Sequence, residues 1–131
     1  MMENNELLRT ADGATLAFLG DAVYELWVRR RLVCGGMCGS KALNDASHRF
    51  VTAKAQAAAF HRIEHLLTAE EIDCFKRGRN SPHLSVPKSS TGAEYRTATG
   101  FEALCAALCL CGRNDRVDEL LTAAFAAEER D

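Results

Sequence analysis

An all-α domain is what this sequence predicts, and three observations predict it. Apolar residues recur at three- and four-residue spacing along most of the 131 positions. No run of alternating β-branched residues marks a strand. Both prolines, Pro82 and Pro87, fall in one short stretch, so helices elsewhere are uninterrupted. The length suits one domain with a real core, spanning 1–131 with the core at about 13–125. The balance of 47% hydrophobic and 26% charged residues is ordinary for a globular protein.

The first helix is expected at roughly 14–33, with Leu16, Leu19, Val23 and Leu26 as its apolar stripe. At about 100° per residue, Asp21 and Glu25 fall together on the side away from that stripe. Gly20 sits mid-pattern, where it costs about 1 kcal/mol relative to alanine. A glycine there points to close approach by another backbone or a ligand. Cys34-Gly-Gly-Met-Cys-Gly39 reads as a turn. A long rod is expected next, from about 41 to 65, with Leu43, Ala46, Phe50, Ala53, Ala57 and Phe60 on its core face. Lys41, His48, Lys54 and Arg62 fall outside that face, as one wet basic surface.

Thr68-Ala-Glu-Glu71 is a capping box and opens a shorter helix carrying Ile72 and Phe75, which ends near Asn80. From Gly78 to Ser90 there are two prolines, four serines and no period, which predicts an exposed loop. A second box, Thr91-Gly-Ala-Glu94, starts a helix of about 92–111 with Leu104 and Leu108 inward. Gly112 stops it, and Asn114 or Asp115 caps a last helix holding Val117, Leu120, Leu121 and Phe125. No internal repeat or second domain is evident.

Charge is segregated beneath the net value of −2. Between Leu26 and Ile63 the basic residues are Arg29, Arg30, Arg31, Lys41, Arg49, Lys54 and Arg62, against Asp45 alone. From Cys74 to Phe101 they are Lys76, Arg77, Arg79, Lys88 and Arg96, against Glu94 alone. Two basic segments of this kind suit a polyanionic partner or simply solvated helix faces. No apolar run reaches membrane-spanning length, and the polar start is unlike a secretory signal. The six cysteines show no CxxC pair or Cys/His ligand set, which speaks against zinc. Reduced, mostly buried thiols in a cytosol are expected.

Glu102 is a second unusual carboxylate, between Phe101 and Ala103 in an apolar stretch. Packing of the helices at 14–33 and 92–111 would bring it beside Asp21. Buried acids need partners. Two or three convergent carboxylates would hold Mg²⁺, which activates water and steadies a leaving oxygen in phosphodiester hydrolysis. Pairing of Asp21 and Glu102 with arginines such as Arg96 is the equal alternative.

Leu16-Ala-Phe-Leu-Gly-Asp-Ala-Val-Tyr-Glu25 resembles the signature helix of the ribonuclease III family, and Phe101-Glu-Ala-Leu104 resembles its second acidic motif. The stretches Arg49–Gln56, Lys76-Arg-Gly-Arg-Asn80, Val86-Pro-Lys88 and Tyr95-Arg96 extend the likeness to the Mini-III branch, over about 13–125. The resemblance implies an all-helical endonuclease domain without a double-stranded-RNA-binding domain. It further implies a cytoplasmic homodimer that depends on Mg²⁺, for which Mn²⁺ can substitute. Its substrate would be double-stranded RNA, in this branch the precursor of 23S ribosomal RNA, with a ribosomal protein as a further partner.

By motif, Asp21 matches the catalytic aspartate and Glu102 the late metal-binding glutamate. Glu25 belongs to the signature with a supporting role, at the site or in pairing with an arginine. Where the archetypal ribonuclease III pattern has two further acids, this chain has Ala17 and Thr99. Lys54, Lys76, Arg77, Arg79 and Lys88 are candidate phosphate contacts, since duplex RNA is read through backbone and shape. The 77–90 loop could enter a groove or be a plain connector. His48 and His61 read as surface residues, and Tyr24 and Trp27 as packing or dimer contacts. A non-catalytic RNA-binding protein on the same fold and a helical protein-interaction module are the competing classes.

Overall fold

The computed structural model describes residues 1–82 and 86–126, and among these every regular element is helical. The order is α1 (Asn4–Thr10), α2 (Gly13–Cys34), α3 (Ser40–Val51), α4 (Ala53–Ile63), a single 3₁₀ turn (Glu64–Leu66), α5 (Ala69–Arg79), α6 (Gly92–Leu110) and α7 (Asn114–Ala124). Helix α6 is the axis of the bundle, packed by α2, α4, α5, α7 and α1. Its stretch from Ala98 to Leu108 is buried apart from Glu102. An aromatic layer fills the space around it: Phe60 stacks on Phe75 at 3.9 Å and meets Phe101 edge-on at 5.6 Å, and Tyr24 meets Phe101 edge-on at 5.9 Å.

Local signals set most helix ends. Asp12 caps α2 by accepting from the Thr15 amide at 2.8 Å. Both capping boxes form, Thr68 with Glu71 and Thr91 with Glu94. Gly36 and Gly39 take the positive φ that the turn after α2 requires, and Gly112 does the same after α6.

The expected rod at 41–65 is instead two helices. The chain becomes extended at Thr52, whose hydroxyl accepts from the Ala55 amide at 3.1 Å and caps α4. Two carbonyls at the end of α3 are taken by side chains: Phe50 accepts from the Tyr24 hydroxyl at 2.7 Å, and Val51 from Gln56 Nε2 at 3.2 Å. The basic residues of the rod therefore do not form one surface. Lys41 pairs with Asp45 at 2.9 Å, and Arg62 donates to the Ala124 carbonyl at 2.6 Å while lying over the Phe125 ring.

Helix α2 also turns a different face inward. Its buried residues are Gly13, Leu16, Ala17, Gly20, Tyr24 and Val28, whereas Leu19 and Leu26 are exposed and Val23 is half-buried. Asp21 and Glu25 thus flank the buried face. An extra helix, α1, was not foreseen in the polar start; Arg77 holds it by donating to the Leu8 carbonyl at 2.6 Å and to that of Ala11. Neither Asn114 nor Asp115 caps α7, which begins after Arg113 without a side-chain cap. The thiols are free but mostly not buried: only Cys105 is, with Cys74 and Cys109 half-buried and Cys34, Cys38 and Cys111 exposed.

The tightest contact lies where α2 crosses α6. A Cβ built on Gly20 would stand 1.6 Å from the Glu102 carbonyl oxygen and 2.4 Å from its carbon. Backbone cannot yield as a flexible side chain does, so overpacking costs here reach the upper range of about 1–3 kcal/mol or exceed it. Gly20→Ala is expected to lower unfolding free energy by about 3 kcal/mol, read in urea, while Ala123→Ser on the exposed side of α7 changes it by under about 0.5 kcal/mol.

Candidate active site

The crossing at Gly20 places the residue after it, Asp21, against Glu102. Asp21 is exposed on the rim, and Glu102 is half-buried with its neighbours Phe101 and Ala103 in the core. Burial pushes the Glu102 carboxyl up to about 8; Asp21 adds to this by accepting a hydrogen bond from the protonated acid and by repelling its charge, and Glu25 repels it more weakly. The Gln56 amide, reaching across from α4, favours the charged form instead. Tyr24, one turn beyond Gly20, is sealed beneath the pair, and its hydroxyl is pushed up by burial and by the charges of Cys105 and Glu102.

The arginine alternative is not realised. Among the described residues no basic side chain forms an ion pair with Asp21 or Glu102. Arg96 donates to the Ser81 carbonyl at 3.4 Å. Glu25 does pair with an arginine, Arg29, at 3.7 Å on the exposed side of α2.

Two convergent carboxylates are hard oxygen donors with no competing cation among the described residues, and they fit a divalent ion of the Mg²⁺ kind. Among the described residues no group of three or more Asp, Glu, His or Cys side chains converges. A bound ion would therefore keep much of its water, as Mg²⁺ does. Ala17 and Thr99, the two positions without acids, are both buried; the Thr99 hydroxyl donates to the Tyr95 carbonyl at 2.8 Å.

The candidate phosphate contacts are divided by their surroundings. Lys54, Lys76 and Lys88 are exposed. Arg79 is half-buried, donates to Asn80 Oδ1 at 3.1 Å and lies over the Phe75 ring. Arg77 is occupied in holding α1, which removes its guanidinium from the exposed basic surface. His48 and His61 are exposed, and His61 lies 3.6 Å from Glu64. Tyr24 belongs to the core, and Trp27 donates to Asp118 at 2.9 Å while stacking on Phe125. Of the loop, His83, Leu84 and Ser85 lie outside the described residues.

Sequence reasoning did not single out Gln56, a buried amide beside the acids. Its signal was there: one polar residue in Ala53-Lys-Ala-Gln-Ala-Ala-Ala59, at a position continuing the core face. It read Glu71 as a capping residue but did not foresee its partner: the carboxylate takes two bonds of 2.9 Å from Arg116, an arginine that further donates to the Leu66 carbonyl. That pair ties α7 to α5, away from the acids.

The raised Glu102 carboxyl makes stability depend on pH. Between about 4.5 and about 8 the native chain binds a proton that the unfolded chain releases. Stability from this group is complete below the unfolded value and is lost as pH rises through that window. In a chelator, Glu102→Gln is expected to leave the melting temperature near that of the parent at pH 4.5 and to raise it at pH 8. Parallel melting curves at both values check this; equal differences at the two would contradict it.

The ribonuclease III domain pattern matches residues 14–113 of this chain. The chain is 46% identical over 116 residues to the Mini-ribonuclease 3 of Symbiobacterium thermophilum, covering 88% of this chain and 89% of that one. It is 40% identical over 131 residues to the Mini-ribonuclease 3 of Brevibacillus brevis, covering 98% of each. A crystal structure of a Fusobacterium nucleatum protein superposes with a TM-score of 0.82 at 30% identity, over 93% of this chain and 98% of that one. The helical bundle, the crossing of its two acidic motifs and these likenesses agree: the chain belongs to the ribonuclease III family, in the branch of the Mini-ribonuclease 3 proteins, and is an endoribonuclease.

Proposed function

We propose that the protein cleaves double-stranded RNA with Mg²⁺, or with Mn²⁺ in its place, as a homodimer acting on the precursor of 23S ribosomal RNA in the cytoplasm. The carrying observation is the acid pair Asp21 and Glu102, brought together at the α2–α6 crossing with no cation among the described residues paired to it. These two residues would hold the ion. When bound, the ion supplies a water of lowered pKa and neutralises charge on the scissile phosphate. The chain itself fixes the two carboxylates rigidly, because both sit beside a backbone contact. Lys54, Lys76, Arg79 and Lys88 supply the phosphate contacts, and Glu25 with Arg29 steadies the outer side of α2. A duplex bound this way is read by backbone and shape. The 23S precursor and a ribosomal protein that presents it are what the resemblance of the motifs to the Mini-III branch implies.

The outer face of α2 supports the dimer. Phe18 is 85% exposed, Leu26 and Val33 are each 59% exposed and Leu19 is 37% exposed; with Ala22 they line one side of the helix. Arg29 and Arg30, both exposed, interrupt this side between Leu26 and Val33; exposed apolar residues rimmed by polar ones in this way mark an association site. A second copy meeting it along the same face would bring two acid pairs to one duplex, each cutting one strand.

Asp21→Asn is expected to abolish cleavage of a duplex RNA in Mg²⁺ while keeping the fold by circular dichroism and the affinity for RNA by gel shift. Cleavage that persists in a pure preparation would sink the assignment, and binding without cleavage by the parent protein would favour the non-catalytic class. Phe18→Asp is expected to convert the dimer to a monomer in sedimentation and to lower cleavage at micromolar protein by at least about tenfold, on the order of one interface anchor lost. A variant that sediments as the parent does would remove α2 from the interface.

A further inference from the structure

Four polar side chains are buried among the described residues: Gln56, Glu71, Ser81 and Thr99. Three are fully accounted for. Glu71 is paired with Arg116, Ser81 donates to the Arg77 carbonyl at 3.1 Å, and Thr99 donates to the Tyr95 carbonyl. Gln56 is different. Its Nε2 donates to the Val51 carbonyl at 3.2 Å, but its Oε1 is sealed from solvent with no donor among the described residues.

The Val51 carbonyl fixes which way the amide is turned, since rotating it would set oxygen against oxygen. With the nitrogen held there, a second N–H remains for the Glu102 carboxyl that lies alongside. Alanines occupy positions 53, 55, 57, 58 and 59 of the same helix. Capping the Val51 carbonyl accounts for Nε2 but leaves Oε1 buried without a donor among the described residues, so that bond alone does not account for a glutamine.

We infer that Gln56 is a positioning residue for the acid pair: its Nε2 clamps the Glu102 carboxylate to the α3–α4 break, and its sealed Oε1 accepts a hydrogen bond from a water that enters with a divalent ion. The inference rests on the reading of Asp21 and Glu102 as ion ligands. A carboxylate that must turn toward an ion needs a partner on its far side. Outer hydrogen-bond partners of this kind set ligand orientation and ion affinity.

The test uses the full-length chain stripped of metal, with Ca²⁺ as a probe that does not require turnover. Thermal unfolding is followed across a Ca²⁺ titration for the parent, Gln56→Leu and Glu102→Gln, and for the double variant. Cleavage of a duplex RNA is then measured across a Mg²⁺ titration. Gln56→Leu is expected to stay folded, to lose at least half of the Ca²⁺-induced shift, and to need at least about tenfold more Mg²⁺ for half-maximal cleavage with KM for RNA unchanged. In the Glu102→Gln background it is expected to change the Ca²⁺ response no further. A role in the core alone would lower the melting temperature and leave the ion dependence as in the parent.

Gln56→Met, which keeps the chain length, stands in where the leucine variant does not fold. Ion dependence like the parent's in the folded variants would overturn the inference, and so would loss of the fold in both, since core support would then explain the residue. If the parent itself shows neither an ion-induced shift nor metal-dependent cleavage, the reading of Asp21 and Glu102 fails first. If the parent and Asp21→Asn behave as expected while the Gln56 variants match the parent, only the inference about Gln56 falls.

Discussion

The contact between Gly20 and the Glu102 carbonyl governs much of what the rest of the molecule can do. It is a meeting of two main chains, closer than any residue with a Cβ allows, so side-chain repacking cannot adjust it. Asp21 follows Gly20 by one covalent step, and the Glu102 side chain leaves from the residue whose carbonyl is touched. The two carboxylates are therefore brought together by backbone rather than by attraction between them, which is needed because like charges repel. Similar close approaches recur along α6: a Cβ on Gly78 would lie 2.7 Å from the Thr99 carbonyl oxygen, and one on Gly100 would lie 2.5 Å from the Phe75 ring. Helix α6 is thus gripped by α2 and by α5, and the acid pair inherits that rigidity.

The same crossing determines the electrostatic character of the pair. One turn beyond Gly20 the Tyr24 ring packs edge-on against Phe101, and Phe101 immediately precedes Glu102. Glu102 is thus anchored in the edge of the core while Asp21 stays exposed, and burial leads the causes that raise Glu102, ahead of the hydrogen bond and repulsion from Asp21. A neighbouring cation would relieve both effects, yet the abundant arginines are employed elsewhere. Arg77 holds α1, Arg62 closes the end of α7, and Arg116 locks Glu71. With these arginines taken, no basic side chain among the described residues pairs with Asp21 or Glu102.

How much of this was legible in the sequence depended on the range of each signal. Capping boxes at Thr68 and Thr91, the glycine stop at 112 and the close approach at Gly20 are local or nearly so, and each was readable. The break at Thr52 was not, because Phe50, Ala57 and Phe60 keep their spacing across it. Only the Tyr24 hydroxyl and the Gln56 amide, arriving from outside the turn, make it affordable to the backbone. The inward face of α2 was misread for a related reason. This helix is apolar almost all round, so periodicity could not distinguish a core face of small and aromatic residues from an outer one of Phe18, Leu26 and Val33. Pairing of Asp21 with Glu102, 81 positions apart in the chain, was reached from the acidic motifs and needed the resemblance for its chemistry. Gln56 escaped because nothing in one sequence says that a buried amide will be left with a free oxygen.

That α2 is apolar on two sides has a consequence for the proposed dimer. The helix that carries Asp21 against α6 is the helix that presents the outer stripe. If two copies join along that stripe, the distance between their acid pairs is set by two neighbouring helices rather than by any loop or linker. Helices packed face to face stand 8–10 Å apart and shift little. The spacing of the two cuts on a duplex would then be a property of α2 itself. The 77–90 loop and the exposed lysines would govern where along the RNA the pair of sites comes to rest, and leave the spacing between the cuts unchanged.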